Sequence, residues 1–377
     1  GSAFAPTSIK KAICFKVGIG NPMAGRSTPG IMPKRNVDAA TTADLIAAID
    51  VSGSSVTAGG NVVITATAGT IQGTTGLGGG TMDLTAGKEI DGSDFTAAGD
   101  IEITATDLAA SSFISEGGNI TVNPLANIID TTIWAKTGSV TFIGAGVSGE
   151  IDGTTISSGT GLTITNAAWI VGSNLIAENG LLDVTATTID GSELLSKQGS
   201  IDLDVDRLNA SNLAAAVGID VDGAAATSTI TASTMTAATG NVTVDTFGTV
   251  NALTVNAMGD ATIGGPVAAP TIGTIIGGEY ITDGSASLAA NVTIAGVTVQ
   301  AGGDATLAAL TGDIANTTVE GDIVTLTAGG NISNVDVEAS VTAGLTATGS
   351  ILGSNVTAAT NATLAATQIA DSTVTAL

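Results

Sequence analysis

A six-residue pattern returns along this chain at a nearly fixed interval: an aliphatic residue, small or polar residues, then an apolar residue five places after the first. Seventeen copies are found. They begin at Val51 ("VSGSSV"), Ile71, Ile90 ("IDGSDF"), Leu108, Ile128, Ile151 ("IDGTTI"), Ile170, Ile189 ("IDGSEL"), Leu208, Ile230, Val250, Ile275, Ile294, Ile314, Ile332, Ile351 ("ILGSNV") and Ile369 ("IADSTV"). Most spacings are 18 to 20 residues, and the longer ones precede Ile151, Ile230 and Ile275. A period of this length that survives insertions is the mark of a repeat architecture in which each unit is one turn.

Between the hexapeptides lies a second element, a glycine followed by alternating apolar and polar residues. Examples are "GTMDLTA" from Gly80, "GDIEITA" from Gly99 and "GSIDLDV" from Gly199. Alternation of period two is that of a strand with one buried face. About 19 residues therefore hold two or three short strands and their corners, and no such unit can bury its own apolar face. Successive turns must stack with the aliphatic positions inside. The fold expected is all-β, a parallel β-solenoid of about 17 coils over residues 51–377, roughly 80 Å long at about 4.8 Å per coil.

"IDGSDF", with two carboxylates, a hydroxyl and an aromatic ring in six residues, looks like part of a catalytic cleft until its repetition is seen. Its structural reading puts positions one and six inside, with Gly or Ala at position three where the chain bends and no side chain fits. Position four is Ser or Thr in 12 of the 16 copies from Ile71 onward, so stacked coils are expected to form a hydroxyl ladder that satisfies corner backbone groups. Aromatics make up 2% of the chain, charged residues 12%, and histidine is absent.

In period and pattern, residues 51 to 377 resemble the haemagglutinin-type repeats of filamentous-haemagglutinin-like adhesins. The resemblance implies a right-handed β-helix on a bacterial surface. The N-terminal segment does not look like the secretion domain of that family.

Charge is unevenly placed. Lys10, Lys11, Lys16, Arg26, Lys34 and Arg35 give the first 36 residues +6, and the other four basic residues against 34 acids leave −30 for the remainder. Such a body repels nucleic acid and anionic lipid. The expected organisation is a basic arm over residues 1–37, a short capping helix over 38–50 and the solenoid from 51. The helix is read from a Thr cap and from Leu45, Ile46 and Ile49 at helical spacing in "TTADLIAAID". "SIKKAICFKVGIG" (8–20) reads as strand-like, and Pro22, Pro29 and Pro33 follow it. Apolar runs are far short of the roughly 18 residues of a membrane span. Cys14 is the single cysteine, so no intrachain disulfide forms.

Enzymatic chemistry has little to work with. Lyase action calls for a base near a substrate carboxylate, and the solenoid holds only Lys88, Lys136, Lys197 and Arg207. Trp134, Trp169 and Tyr280 lie far apart in the register. Acids are better placed: in "IDLDVD" Asp202, Asp204 and Asp206 are expected to point outward, and stacking aligns Asp183, Asp202 and Asp220 in one column and Asp204 and Asp222 in the next. Asp83 and Glu102 form a smaller pair. Carboxylates about 5 Å apart repel by roughly 1 kcal/mol in water. The columns read either as a solvated acidic face or as a Ca²⁺ site, Ca²⁺ being the one cofactor considered. "ITAT" and "VTAT" segments resemble the threonine pairs of ice-binding solenoids, without persisting in every coil. "NIT" at Asn119 and "NVT" at Asn241 match glycosylation acceptors at the frequency composition gives.

The expected function is structural: a non-catalytic subunit of an extracellular or cell-surface filament, its partners other copies of itself and other surface components. The last coil, "IADSTVTAL", carries no polar helix or charged strand after Asp371, and the basic arm supplies the opposite charge. An adhesin shaft presenting a separate tip is the alternative.

Overall fold

The computed structural model describes residues 31–32, 34–124, 126–143 and 149–377. These form an all-β parallel β-solenoid of about 18 turns, without a helix among the described residues. Around residue 90 a turn has three short strands; farther along, neighbouring strands run together, as in Ile314–Ala328. Glu89–Asp91 is the first, Asp94–Ala97 the second and Ile101–Ala105 the third. Each pairs in parallel with its counterpart one turn on, as in Ile90 with Leu108, Phe95 with Phe113 and Ile101 with Ile120. The hexapeptide thus spans two strands and the corner between them, and the alternating segment is the third strand.

That corner is made at position three, where φ is positive in all 17 copies, from Gly53 to Asp371. The expected reason, lack of room, is wrong. A Cβ built on Gly53, Gly92, Gly172 or Gly191 meets nothing within 4 Å. The constraint is the left-handed backbone, which costs an L-residue about 1–2 kcal/mol and glycine nothing. Ala110, Ala210, Ala232 and Ala252 adopt it at φ 46–52° nonetheless. Asp130, Asn316, Asn334 and Asp371 are of the types that tolerate it best.

The described residues divide into two compact units, one up to residue 160 and one over 161–377. In the first, Ile90, Phe95, Ile101 and Ile103 fill one layer of the core and their counterparts fill the next. Phe95 and Phe113 stack with centroids 5.6 Å apart. Gly76 explains the irregular copy "IQGTTG": a Cβ there would sit 2.6 Å from the Phe95 ring, so the aromatic takes the space its neighbour gives up. The buried hydroxyls of position four form the expected ladder. The Thr74 N–H donates to Ser93 Oγ at 3.1 Å and the Ser93 N–H to Ser111 Oγ at 3.2 Å. Each hydroxyl in turn donates to the carbonyl two residues back, Ser93 to Asp91 at 2.9 Å and Ser111 to Ala109 at 2.7 Å. These buried N–H groups and hydroxyls are therefore paired.

The helix expected over 38–50 is replaced by strands. Ala43–Ala47 alternates with Ala43, Leu45 and Ala47 buried, and pairs residue by residue with Val62–Ala66. An isolated ten-residue helix is marginal in water, whereas here the strand gains ladder bonds along one edge and a core face. The solenoid also starts earlier than residue 51. Met32 pairs with Val51 and Asn36–Ala39 with Ser55–Ala58, and the Ser55 N–H donates to the Arg35 carbonyl at 2.6 Å. "MPKRNV" (32–37) is thus an eighteenth hexapeptide, disguised by Pro33, Lys34 and Arg35 at positions usually small.

In the second unit the hydroxyl ladder runs through Ser173, Ser192, Ser211 and Ser233, the N–H of each of the first three donating to the hydroxyl of the next at 3.2–3.4 Å. Leu253, Gly278 and Val297 interrupt it, and there the core takes a different form. Tyr280 is fully buried. In the same stretch the third strand turns Ala261, Ala286 and Ala305 inward, where most turns have a larger apolar residue. Residues 223–228 and 264–271 loop out at corners, as the longer spacings imply.

Candidate functional site

The acidic columns lie on the third strands of the second unit. Leu182–Asp190 pairs with Ile201–Asn209, which pairs with Ile219–Asp222. Leu182, Val184, Ile201, Leu203, Ile219 and Val221 face the core, which sends the intervening acids outward. The register sets Asp183 beside Asp202 and Asp202 beside Asp220, and in the next column Asp204 beside Asp222. It continues to Asp245, paired with Asp222, while Thr185 precedes Asp204. Among the described residues the carboxylates of the five acids named from the sequence accept no hydrogen bond, although their backbones are paired in the ladder. Asp245, by contrast, accepts from Thr271 Oγ1 at 2.9 Å.

This arrangement raises the pKa of three members from the ordinary aspartate value. For Asp183 partial burial is the largest cause, followed by the charges of Asp202 and Asp204. For Asp220 burial again leads, then Asp202, Asp245 and Asp204. For Asp222 the order is burial, Asp220, Asp245, Asp204 and Asp202. Beside the first column runs a shallow groove in which Leu181 and Val217 are exposed next to Asp202, Asp220 and Asn241. The acids are strung along the sheet rather than converging. Among the described residues no group of three acids, histidines or cysteines is placed to hold a metal ion.

The first unit has lesser examples. Asp83 pairs with Glu102 in register. Glu89 has its pKa raised by burial first and then by Asp91 and Asp107. Many other acids and amides are occupied at the corner before the third strand, a role the sequence reading missed. Asn61 Oδ1 accepts the Thr81 N–H at 3.0 Å, Asp100 Oδ1 the Asn119 N–H at 2.7 Å and Asn119 Oδ1 the Ser139 N–H at 2.9 Å. Asp260 and Asn331 repeat this in the second unit at 2.7 and 2.9 Å. The signal was an Asn or Asp directly ahead of the alternating segment, in the register of the previous turn.

Two of the solenoid cations answer acids one turn back. Lys136 Nζ lies 2.6 Å from Glu116 and 4.9 Å above the Trp134 ring, and Lys197 Nζ lies 2.7 Å from Glu178. Exposed pairs of this kind contribute about 0–1 kcal/mol. Of the six basic residues assigned to the arm, Lys10, Lys11, Lys16 and Arg26 lie outside the described residues. Lys34 and Arg35 are exposed at the first corner of the earliest turn.

The final turn has a surface of another kind. Ile369 and Val374 are 48% and 47% exposed and Leu377 87%, whereas Ile351 and Val356, their counterparts one turn earlier, are fully buried. Among the described residues Gln368–Ala370 and Thr373–Ala376 pair only with the turn before them. No family model, curated protein or solved structure matches this chain.

Proposed function

We propose that this chain is a non-catalytic structural subunit of an extracellular filament or sheath, related to the filamentous-haemagglutinin-like surface proteins. Its turns stack head-to-tail from copy to copy, and the basic segment 1–37 bridges subunits. It needs no cofactor. The observation that carries the reading is the stacking itself: about 18 turns lie in parallel register, each giving the next its ladder bonds and a core face. A turn that stacks on its own repeat offers the same pairing to a turn of another copy. The corner acids Asp100 and Asp260 support a non-catalytic role, because they serve as backbone acceptors rather than converging on a cleft. The −30 carried by residues 37–377 supports a requirement for basic segments or salt at the contact.

Light scattering and electron microscopy of the purified protein, over a range of salt, test this. Concentration-dependent fibres are expected. A monomer at every concentration and salt overturns the reading and leaves the adhesin shaft in its place.

A further inference from the structure

An asparagine followed by glycine is the pair best suited to close on itself. Glycine has no Cβ to keep its backbone nitrogen away from the preceding side-chain carbonyl, and the ring that forms is a five-membered imide. A nitrogen held in a hydrogen bond is hindered from attacking. Asn-Gly occurs once in the chain, at Asn179–Gly180, and Asp-Gly five times. At four of those five the glycine N–H donates to a carbonyl of a neighbouring turn: Gly92 to Ala109 at 3.1 Å, Gly191 to Asn209 at 3.0 Å, Gly223 to Asp245 at 2.9 Å and Gly284 to Gly259 at 3.1 Å. Their aspartates, as carboxylates, also resist attack.

Gly180 is placed differently. It lies in the bend between Asn174–Ala177 and Leu182–Asp190, where Asn179 is exposed. Two bends of the same length hold their glycine with a serine at the end of the second strand. The Gly118 N–H donates to Ser115 Oγ at 2.9 Å and the Gly199 N–H to Ser196 Oγ at 3.2 Å. Ala177 occupies that place here, in register with Ser196. Among the described residues the Gly180 N–H has no acceptor, although its carbonyl accepts from Ser196 Oγ at 2.7 Å.

We propose that Asn179 is a site of spontaneous deamidation. The Gly180 nitrogen bonds to Asn179 Cγ and gives up its proton, and the side-chain nitrogen leaves as ammonia. Water, the only co-reactant, then opens the imide at either carbonyl. Cleavage of the Cγ–N bond gives aspartate; cleavage between the Asn179 backbone carbonyl carbon and the Gly180 nitrogen gives isoaspartate, whose main chain runs through Cβ. Either product sets a new carboxylate beside Glu178, the partner of Lys197 at 2.7 Å, a covalent change of charge. Isoaspartate also lengthens the backbone of the bend that leads into Leu182–Asp190.

The test incubates the full chain in mildly alkaline buffer, folded and in urea, and follows each asparagine by peptide mass spectrometry, with an isoaspartate-specific methyltransferase as the probe for the second product. In the folded chain the deamidation mass shift is expected at Asn179, at a rate comparable with that in urea, and not at Asn174, Asn209 or Asn212. Ala177→Ser supplies the missing acceptor and is expected to slow the conversion in the folded chain only. Ser115 and Ser196 are fully buried at this place in their own turns, so the serine fits, and circular dichroism checks the fold. Gly180→Ala is expected to suppress the reaction in both states. A folded chain whose Asn179 stays intact overturns the proposal. So does conversion spread equally over the other three asparagines, or a folded Ala177→Ser variant that converts as fast as the native chain.

Discussion

The corner of the hexapeptide lends itself to a quantitative test, because two kinds of glycine occur within one turn of each other. Gly92 has φ +53° and open space where a Cβ would go; Gly79 has an ordinary φ, but its Cβ would run into the backbone carbonyl of Gly59 in the preceding turn. At Gly92 the only cost of a side chain is the left-handed backbone, about 1–2 kcal/mol, offset by about 0.4–1 kcal/mol from the reduced freedom of the unfolded chain. Gly92→Ala should therefore destabilise by about 0.5–1 kcal/mol. Gly92→Asn should cost less, since Asn visits this region readily, and Gly92→Val more. Gly79→Ala forces backbone apart and should cost up to about 3 kcal/mol. The reverse change, Ala110→Gly, should stabilise by the same 0.5–1 kcal/mol as it relieves φ 46°. Urea unfolding of each variant measures this, with the slope checked for constancy so that a shifted midpoint reports stability. If Gly92→Ala costs as much as Gly79→Ala, or Gly92→Asn is no milder than Gly92→Val, space rather than dihedral angle governs the corner and the argument fails.

The other expectations concern polar groups. Ser93→Ala removes the acceptor of the buried Thr74 N–H and should cost about 1–3 kcal/mol, whereas Ser93→Thr should be nearly neutral; thermal melts distinguish them. The Tyr280 hydroxyl is buried without a partner, and burial pushes its pKa upward. Tyr280→Phe should therefore raise stability by about 1 kcal/mol, and a loss would reveal a bound water. Asp183, Asp220 and Asp222 hold protons more tightly folded than unfolded. Their contribution to stability is thus fullest below the ordinary carboxylate pKa and is lost as pH rises through the raised values. Melting temperature should climb on acidification from pH 7 toward 4, and climb less in Asp202→Asn, which at pH 7 and low salt should itself be more stable by about 0.5–1 kcal/mol. Because the acids lie in columns, Ca²⁺ and Mg²⁺ at equal ionic strength should raise the melting temperature equally; a selective Ca²⁺ effect would restore the calcium reading.

Much of the fold was legible because a stacked turn repeats its demands. Period-two alternation located the third strands, and aliphatic residues five apart located the other two. The acidic columns followed from the same register: once Ile201 is inward, Asp202 is outward, and its neighbours lie one repeat away in either direction. Reading failed where one local signal had two meanings. Leu45, Ile46 and Ile49 suit a helix face, yet Ala43, Leu45 and Ala47 suit a strand, and the neighbouring Val62–Ala66 edge decided between them. "MPKRNV" escaped notice because its corner carries charge instead of glycine and serine.

The sequence by itself determined the architecture, since no 19-residue unit of this composition can bury its apolar face except against a copy of itself. It also determined which acids stand in line, since register is a matter of counting. Only the tertiary structure decided why position three is glycine: that depends on the sign of φ and on the space around a missing Cβ, neither of which is written in residue order. The same holds for the fate of the remaining polar groups. Whether an aspartate repels its neighbour, as Asp202 does, or accepts a backbone N–H, as Asp100 does, is set by which side of a corner it occupies in the folded turn.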